Sequence, residues 1–216
     1  LPQTPQRFLL SADGQRVFLS FPERDAEGFV DRLQAWDLGS GRQLAGGTHL
    51  KGPLQQLVLA GEQRLVAVGP ADGATTVLDA ASLQTIDHWP HDPFEPVVAV
   101  SAIPGGDALW LLARADDPRL GRDTLLRWRP GDEEPGLRRE LGIRPFAVGA
   151  TEGGGAFVAG ESAHAVVDAR GGVREVPRGV DPSDTTIGAL AVRGDGRVVA
   201  VAGRHGVQLF DAGGEA

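Results

Sequence analysis

The 216-residue chain contains no cysteine, no methionine and no tyrosine, and Lys51 is its single lysine. Without cysteine the chain can form no disulfide framework, no thiolate metal site and no cysteine nucleophile. Its apolar stretches, such as Val97 to Ala102 and Val198 to Ala202, are far shorter than the roughly 20 residues that a membrane-spanning helix needs. The sequence therefore predicts neither a disulfide-stapled fold nor a membrane span.

Basic charge is also scarce, because 29 acidic side chains outnumber 21 lysines and arginines and leave a formal charge of -8. Binding to nucleic acid needs a basic stripe that neutralises phosphates, and none is visible. We expect no nucleic-acid partner and no membrane partner. The chain opens with Leu1 and Pro2 in place of an initiator methionine. We therefore expect a segment of a longer protein whose other domains are among its partners, and we favour the cytoplasm.

Glycine and proline, by contrast, are abundant, with 31 and 15 residues scattered along the chain. A hydrophobic fraction of 41% beside 23% charged residues is ordinary for a soluble globular protein. Many short strands need many tight turns, and glycine and proline supply them. The composition favours an all-β fold.

One pattern recurs along the chain: two apolar strands joined by a tight turn, followed by a third strand that ends in a bulky residue. In the first copy, Asp13-Gly14 lies between two apolar runs, which indicates a hairpin because this pair accepts a positive φ. Trp36 and Asp37 then close the third strand. The fifth copy has the same turn at Asp195-Gly196, and the fourth turns at Gly153-Gly154.

The bulky residues that end the third strands follow one another at intervals of 42, 50, 39 and 43 residues. These five anchors are Trp36, Leu78, Trp128, Val167 and Phe210. A four-stranded propeller blade takes about 40 to 45 residues, and apolar residues here alternate with a period of two. One such sheet cannot bury both faces, so neighbouring sheets must stack.

Ser11-Ala12-Asp13-Gly14, followed by Trp36-Asp37 and Gly39-Ser40-Gly41, resembles the WD40 repeat in order and spacing. The resemblance is to degenerate WD40-like β-propellers of bacterial type and covers about residues 6 to 211. It implies an all-β propeller of about five four-stranded antiparallel blades. The family also uses a histidine before the serine turn and an aspartate before the tryptophan. Near the place of the histidine stand His49 and His91. The family's aspartate is six residues before the tryptophan, as Asp72 is before Leu78, whereas Asp31 and Asp123 are only five residues before Trp36 and Trp128.

The resemblance places the blades at residues 6–46, 47–91, 92–141, 142–179 and 180–216. WD40 propellers commonly have seven blades, so we favour part of a larger ring completed by residues outside this sequence. A five-bladed ring closed by the N-terminal stretch is the alternative.

The resemblance also implies a role: a non-catalytic scaffold that binds a protein or peptide through loops on the top face. Two long loops between second and third strands, Pro22 to Val30 and Ala115 to Asp123, are candidates because insertions on one face of a repeat array often form its recognition surface. Solvated loops without a partner are the competing interpretation. The binding residues that we predict are Arg24, Asp25, Glu27, His88, Trp89, Asp116, Asp117, Arg119 and Arg122.

The alternative function is a propeller enzyme or metal-dependent hydrolase with its site at the central channel. Asp87-His88-Trp89-Pro90-His91-Asp92 contains residue types that bind zinc, but no second cluster supplies further ligands. Pairs such as Glu133-Glu134 are typical of solvated turns, and no Gly-x-Ser-x-Gly motif is present. We therefore predict no cofactor, no metal and no catalytic residue.

Overall fold

In a computed structural model, the described residues are 4–26, 28–69, 74–90, 95–115, 122–161, 163–177, 187–193, 195–203 and 206–211. They form nineteen strands in five antiparallel sheets, in which neighbours along the chain are neighbours in the sheet. The chain divides into two compact units, residues 1–97 and 98–216. Within the described residues, no helix is long and apolar enough to cross a membrane.

The first unit contains sheets 1 and 2. Sheet 1 comprises β1 (Arg7–Leu10), β2 (Arg16–Arg24), β3 (Phe29–Asp37) and β4 (Gln43–Lys51). Sheet 2 comprises β5 (Gln56–Ala60), β6 (Arg64–Gly69), β7 (Ala74–Asp79) and β8 (Thr85–Pro90). Sheet 1 extends to Lys51, a few residues beyond the approximate end that was predicted for the first blade at residue 46.

The second unit contains sheets 3 and 4 and the described part of sheet 5. Sheet 3 comprises β9 (Val97–Ala102, whose first residue belongs to the first unit), β10 (Leu109–Ala113), β11 (Thr124–Trp128) and β12 (Leu137–Glu140). Sheet 4 comprises β13 (Pro145–Ala150), β14 (Ala156–Gly160), β15 (Ala163–Val167) and β16 (Val173–Pro177), with a 3-10 turn at Glu152–Gly154. Sheet 5 comprises β17 (Ile187–Val192), β18 (Val198–Gly203) and β19 (Gly206–Asp211).

Short polar motifs shape the turns between these strands. Between β1 and β2, Asp13 accepts hydrogen bonds from the Ser11 hydroxyl and from the backbone amide of Gln15, while Gly14 has a φ of 67°. Between β3 and β4, Asp37 accepts the amide and the hydroxyl of Ser40 at 2.7 and 2.6 Å. These turns confirm the predicted Asp-Gly hairpin and give the aspartate after Trp36 a structural role.

The same aspartate-serine turn returns in sheet 2. Asp79 accepts the amide and the hydroxyl of Ser82, both at 2.8 Å. These bonds favour the charged carboxylate and hold the pKa of Asp79 below its usual range. Leu83, next in the turn, has a φ of 59°, a region that glycine normally occupies. Its side chain is fully buried, which holds the leucine in that conformation.

All five anchor residues lie at the ends of third strands: Trp36 on β3, Leu78 on β7, Trp128 on β11, Val167 on β15 and Phe210 on β19. In the first unit, Leu78 packs into a core with Phe18 and Leu33 of sheet 1. In the second unit, Val167 packs with Trp110 of sheet 3, and Phe210 packs with Phe157 of sheet 4. Each of these three anchors therefore faces the sheet that precedes its own.

Candidate interaction surface

Sheet 1 carries a longer hairpin than the other sheets. Strands β2 and β3 each have nine residues, whereas the second and third strands of sheets 2 to 5 have five or six. Their pairing continues through Pro22 with Asp31 and Arg24 with Phe29. The predicted loop from Pro22 to Val30 is therefore wrong in its extent, since β2 ends at Arg24 and β3 begins at Phe29.

Asp25 closes this turn. Its amide donates a 2.9 Å hydrogen bond to the carbonyl of Gly28, and its carboxylate accepts the Gly28 amide at 2.9 Å. Asp25 is thus a residue that shapes the turn, and its carboxylate is partly committed to the backbone. Glu27, another predicted binding residue, lies outside the described residues.

The end of the hairpin, residues 22–24 and 29, is here called the hairpin tip. Pro22, Glu23, Arg24 and Phe29 line an open groove there. The Phe29 side chain is 65% exposed, and the Arg24 guanidinium carbon lies 5.5 Å from the centroid of its ring. This is a cation–π arrangement in which a cation and an aromatic ring both face solvent.

The opposite face of the same hairpin holds a charged cluster. Arg32 contacts Glu23 at 2.6 Å, and the His49 ring nitrogen lies 3.5 Å from the same carboxylate. The guanidinium of Arg32 also lies 5.6 Å from the ring centroid of Phe21. These contacts stabilise the part of β2 and β3 that extends beyond the apolar core, up to Arg24 and Phe29. His49, which stands near the place of the family's histidine, is on outer strand β4 and half exposed.

Next to the tip, Asp31 is fully buried and bonds sheet 1 to the segment that leads into β5, the first strand of sheet 2. Its carboxylate accepts the Ser20 hydroxyl at 3.1 Å and the backbone amide of Leu54. The indole of Trp36 instead donates to Gln34 on its own strand at 3.0 Å. The resemblance to WD40 repeats implies a buried hydrogen-bond network of an aspartate, a histidine, a hydroxyl and a tryptophan. Here Asp31 and the Ser20 hydroxyl are bonded to each other, whereas the Trp36 indole bonds elsewhere and His49 is half exposed.

The other predicted binding residues of the first unit are His88 and Trp89. They were placed in a loop, which is wrong: both lie in the outer strand β8, paired with Thr76 and Thr75. The His88 ring nitrogen Nδ1 is 3.3 Å from the Thr76 hydroxyl. His91 and Asp72, predicted repeat positions, lie outside the described residues.

In the second unit, the predicted loop from Ala115 to Asp123 is described only at its ends, so Asp116, Asp117 and Arg119 lie outside the described residues. Asp123 accepts the backbone amide of Ala115 at 3.0 Å, which draws the two ends together. Arg122 is exposed and lies 3.8 Å from Glu140 on β12. Of the four binding residues predicted in this loop, the described residues thus include Arg122 alone, and it forms no cluster of binding groups with Asp123.

The Asp195-Gly196 turn of the fifth copy lies between β17 and β18, next to the first turn of sheet 4. Asp195 forms a two-point ion pair with Arg193 at 2.8 and 2.6 Å, which lowers the pKa of Asp195 to about 2. Arg197 pairs in the same way with Glu152, at 2.8 and 2.9 Å, and lowers the pKa of that carboxyl. The Arg197–Glu152 pair joins the turns of sheets 4 and 5, whereas the Arg193–Asp195 pair lies within the turn of sheet 5, and both serve the fold.

Grouped metal ligands are not found in the part of the chain that the structure describes, where no three histidine, aspartate or glutamate side chains come close enough to hold an ion. The metal-dependent alternative therefore receives no geometric support from those residues. The most distinctive exposed arrangement in the first unit is the hairpin tip.

Comparison with known proteins gives the fold. No family model matches the chain, and no curated protein matches it. The crystal structure of RRP9 WD40 repeats superposes with a TM-score of 0.75 at 11% identity, covering 98% of this chain and 61% of that one. The structure of U3-55K gives 0.72 at 12% identity, covering 99% and 62%.

The fold is therefore that of a WD40-type β-propeller, as the resemblance predicted. The chain spans about three fifths of the length of these solved structures. At such low identity the likeness establishes the fold, and function has to be argued from the chain's own residues.

Proposed function

We propose that this chain is a non-catalytic module that binds a protein or peptide through the hairpin tip of sheet 1. The observation that carries the proposal is the pairing of exposed Phe29 with Arg24 at the end of an extended, fully paired hairpin. Phenylalanine and arginine are both enriched at protein interfaces relative to the rest of the protein surface.

The chemistry of the tip indicates the partner's chemistry. Arg24 has no ion-pair partner among the described residues, and its planar guanidinium matches a carboxylate. Phe29 offers an apolar surface beside it, and Pro22 adds to that surface without a backbone donor. The tip therefore suits a segment in which an aspartate or glutamate stands beside an apolar side chain.

Preorganisation supports the same conclusion. The turn is closed by Asp25 and Gly28, and the Arg32–Glu23 pair supports the opposite face of the hairpin. Little conformational entropy is then lost when a partner binds, because the strands are already paired. The overall charge of -8 repels acidic segments at long range, so we expect binding governed by contacts at the tip.

The experiment is selection from a random peptide library displayed on phage, carried out on the wild-type chain and on a variant with both Arg24→Ala and Phe29→Ala. Wild type should enrich peptides that place an acidic residue beside an apolar one. Affinity of the enriched peptides, measured by fluorescence polarisation, should fall about tenfold or more in the variant, as expected for an interface anchor.

Ile86→Ala is the matched control, because Ile86 is an exposed apolar residue of the first unit that lies on β8 away from the tip. It should leave peptide affinity unchanged. If the double variant selected the same peptides with the same affinity as wild type, the hairpin tip would not be the binding surface.

A further inference from the structure

Sheet 1 has an apolar face turned away from sheet 2, here called the Trp36 face. The strand register places Phe8 opposite Leu19 and Leu10 opposite Val17, and Val17 lies opposite Trp36. Phe8 is 73% exposed, Leu10 is about half exposed, and the other three are partly exposed. The other face of the same sheet carries Phe18, Leu33 and Ala35 and is buried against sheet 2.

Equivalent faces elsewhere in the chain are covered. Leu78, Val167 and Phe210 hold the position of Trp36 in their own sheets, and each is buried against the preceding sheet. Because the equivalent faces of sheets 2, 4 and 5 each pack against a sheet, we expect the Trp36 face to do the same. An apolar face of this kind is unusual on a soluble monomer and marks an interaction site.

Sheet 5 carries a second apolar face, here called the Leu209 face. Leu209 lies opposite Ala200, and Val207 lies opposite Ala202. Leu209 and Val207 are 60% and 65% exposed. Phe210, Val199 and Val201 point to the other side and pack against sheet 4. The Leu209 face is thus the side of sheet 5 that is opposite its anchor.

The two faces are the two halves of the contact that joins consecutive sheets within each unit. In each of those contacts, the later sheet contributes the face that carries its anchor. The preceding sheet contributes the face that points away from its own anchor. Small alanines on the Leu209 face leave room for large residues, and the Trp36 face offers Phe8 and Trp36. The side chains that define the two faces are uncharged. Further along the same sides, the register places Arg32 and Glu23 in sheet 1 and Asp211 in sheet 5, so these charged groups border the apolar contact.

We infer that two copies of this chain associate head to tail, with the Trp36 face of one copy against the Leu209 face of the other. The contact is heterologous, so a dimer retains one open Trp36 face and one open Leu209 face, to which further copies can bind. Association then grows with concentration beyond a dimer unless the repeated rotation closes a ring.

The test is sedimentation equilibrium of the 216-residue chain over a wide concentration range, with two single variants. Phe8→Asp destroys the Trp36 face, and Leu209→Asp destroys the Leu209 face. Both residues are exposed, so circular dichroism and melting temperature should show folded protein. Wild type should gain mass with concentration, and each variant alone should associate about tenfold or more weakly, because a carboxylate is costly in an apolar interface.

Mixing the two variants is the decisive measurement. Phe8→Asp keeps an intact Leu209 face and Leu209→Asp keeps an intact Trp36 face, so the mixture should form a one-to-one dimer and stop there. Ile86→Asp changes an exposed apolar residue of sheet 2 that lies on neither face and should associate like wild type. A wild-type chain that stays monomeric, or a mixture no more associated than its components, would overturn the inference. The two faces would then be assigned to contacts with sheets outside this sequence.

Discussion

The backbone amide of Glu152, in the first turn of sheet 4, donates a 2.9 Å hydrogen bond to the carbonyl of Gly196 in the first turn of sheet 5. The two turns are so close that a Cβ atom on Gly196 would lie 2.3 Å from the Glu152 nitrogen. Gly196 also has a φ of 73°, so it needs glycine for both its conformation and its packing.

Gly196→Ala should therefore destabilise the protein more than Gly14→Ala. Gly14 has nearly the same φ, 67°, but open space where a Cβ would stand. The conformational cost alone is about 1 kcal/mol, and the clash at Gly196 should raise the loss to about 3 kcal/mol. Chemical denaturation of the two variants measures both values. Equal losses would mean that the contact between the turns contributes little.

Arg193→Ala should raise the pKa of Asp195 from about 2 toward 3.8, because the hydrogen-bonded guanidinium is the largest cause of its lowering. A lowered carboxyl pKa contributes stability above the unfolded value, and this contribution is lost as pH falls from about 4 to about 2. The variant should lose this part of the acid dependence. Carboxyl ¹³C NMR titration follows Asp195 directly.

Asp13 is the internal control in that titration. Its pKa is lowered chiefly by the Ser11 hydroxyl, so Arg193→Ala should leave its titration unchanged. An Asp195 titration that also stayed unchanged would show that the ion pair is not formed in solution.

The strands and tight turns could be predicted from sequence because their signals are local. Asp13-Gly14 accepts a positive φ, which predicts the turn. The anchors Trp36 and Leu78 mark the ends of third strands, because apolar residues alternate with a period of two and not with the 3.6-residue period of a helix. The aspartates that follow those anchors form the same turn with a serine three residues later. Each of these features depends on residues within one hairpin.

The extent of the sheet 1 hairpin could not be predicted in this way. Proline and a run of charges between apolar strands usually indicate a loop, and Pro22 to Gly28 has that composition. The strands continue because Arg32 pairs with Glu23 across them and Arg24 stacks on Phe29, contacts that only the register creates. His88 and Trp89 were misplaced for the same reason, since Pro90 follows them as the last residue of β8.

Asp31→Ala should destabilise the protein by about 3 kcal/mol, because it leaves the buried amide of Leu54 without its acceptor and removes the bond to Ser20. Ser20→Ala removes only the hydroxyl and should cost about 1 kcal/mol. The difference between the two, measured by urea denaturation, reports the Leu54 contact. Similar losses in both variants would assign the stabilisation to the Ser20 bond alone.

Trp110→Phe should loosen the first turn of sheet 4, although Trp110 belongs to sheet 3. Its indole nitrogen donates to the carbonyls of Gly155 and Gly154, at 2.9 and 3.2 Å, and so holds the turn of the next sheet. Phenylalanine fills most of the buried volume but has no donor, and the loss should be about 1 to 2 kcal/mol.

Trp128→Phe is the matched control for this prediction. The Trp128 indole is equally buried and donates to the carbonyl of Asp132 at 2.9 Å, within its own turn. Hydrogen exchange resolved by residue should therefore speed up around the Glu152 amide in Trp110→Phe, and around residues 128 to 132 in Trp128→Phe. If Trp110→Phe left exchange at Glu152 unchanged, the indole would stabilise only its own sheet, and packing between the faces of sheets 3 and 4 would hold that turn without it.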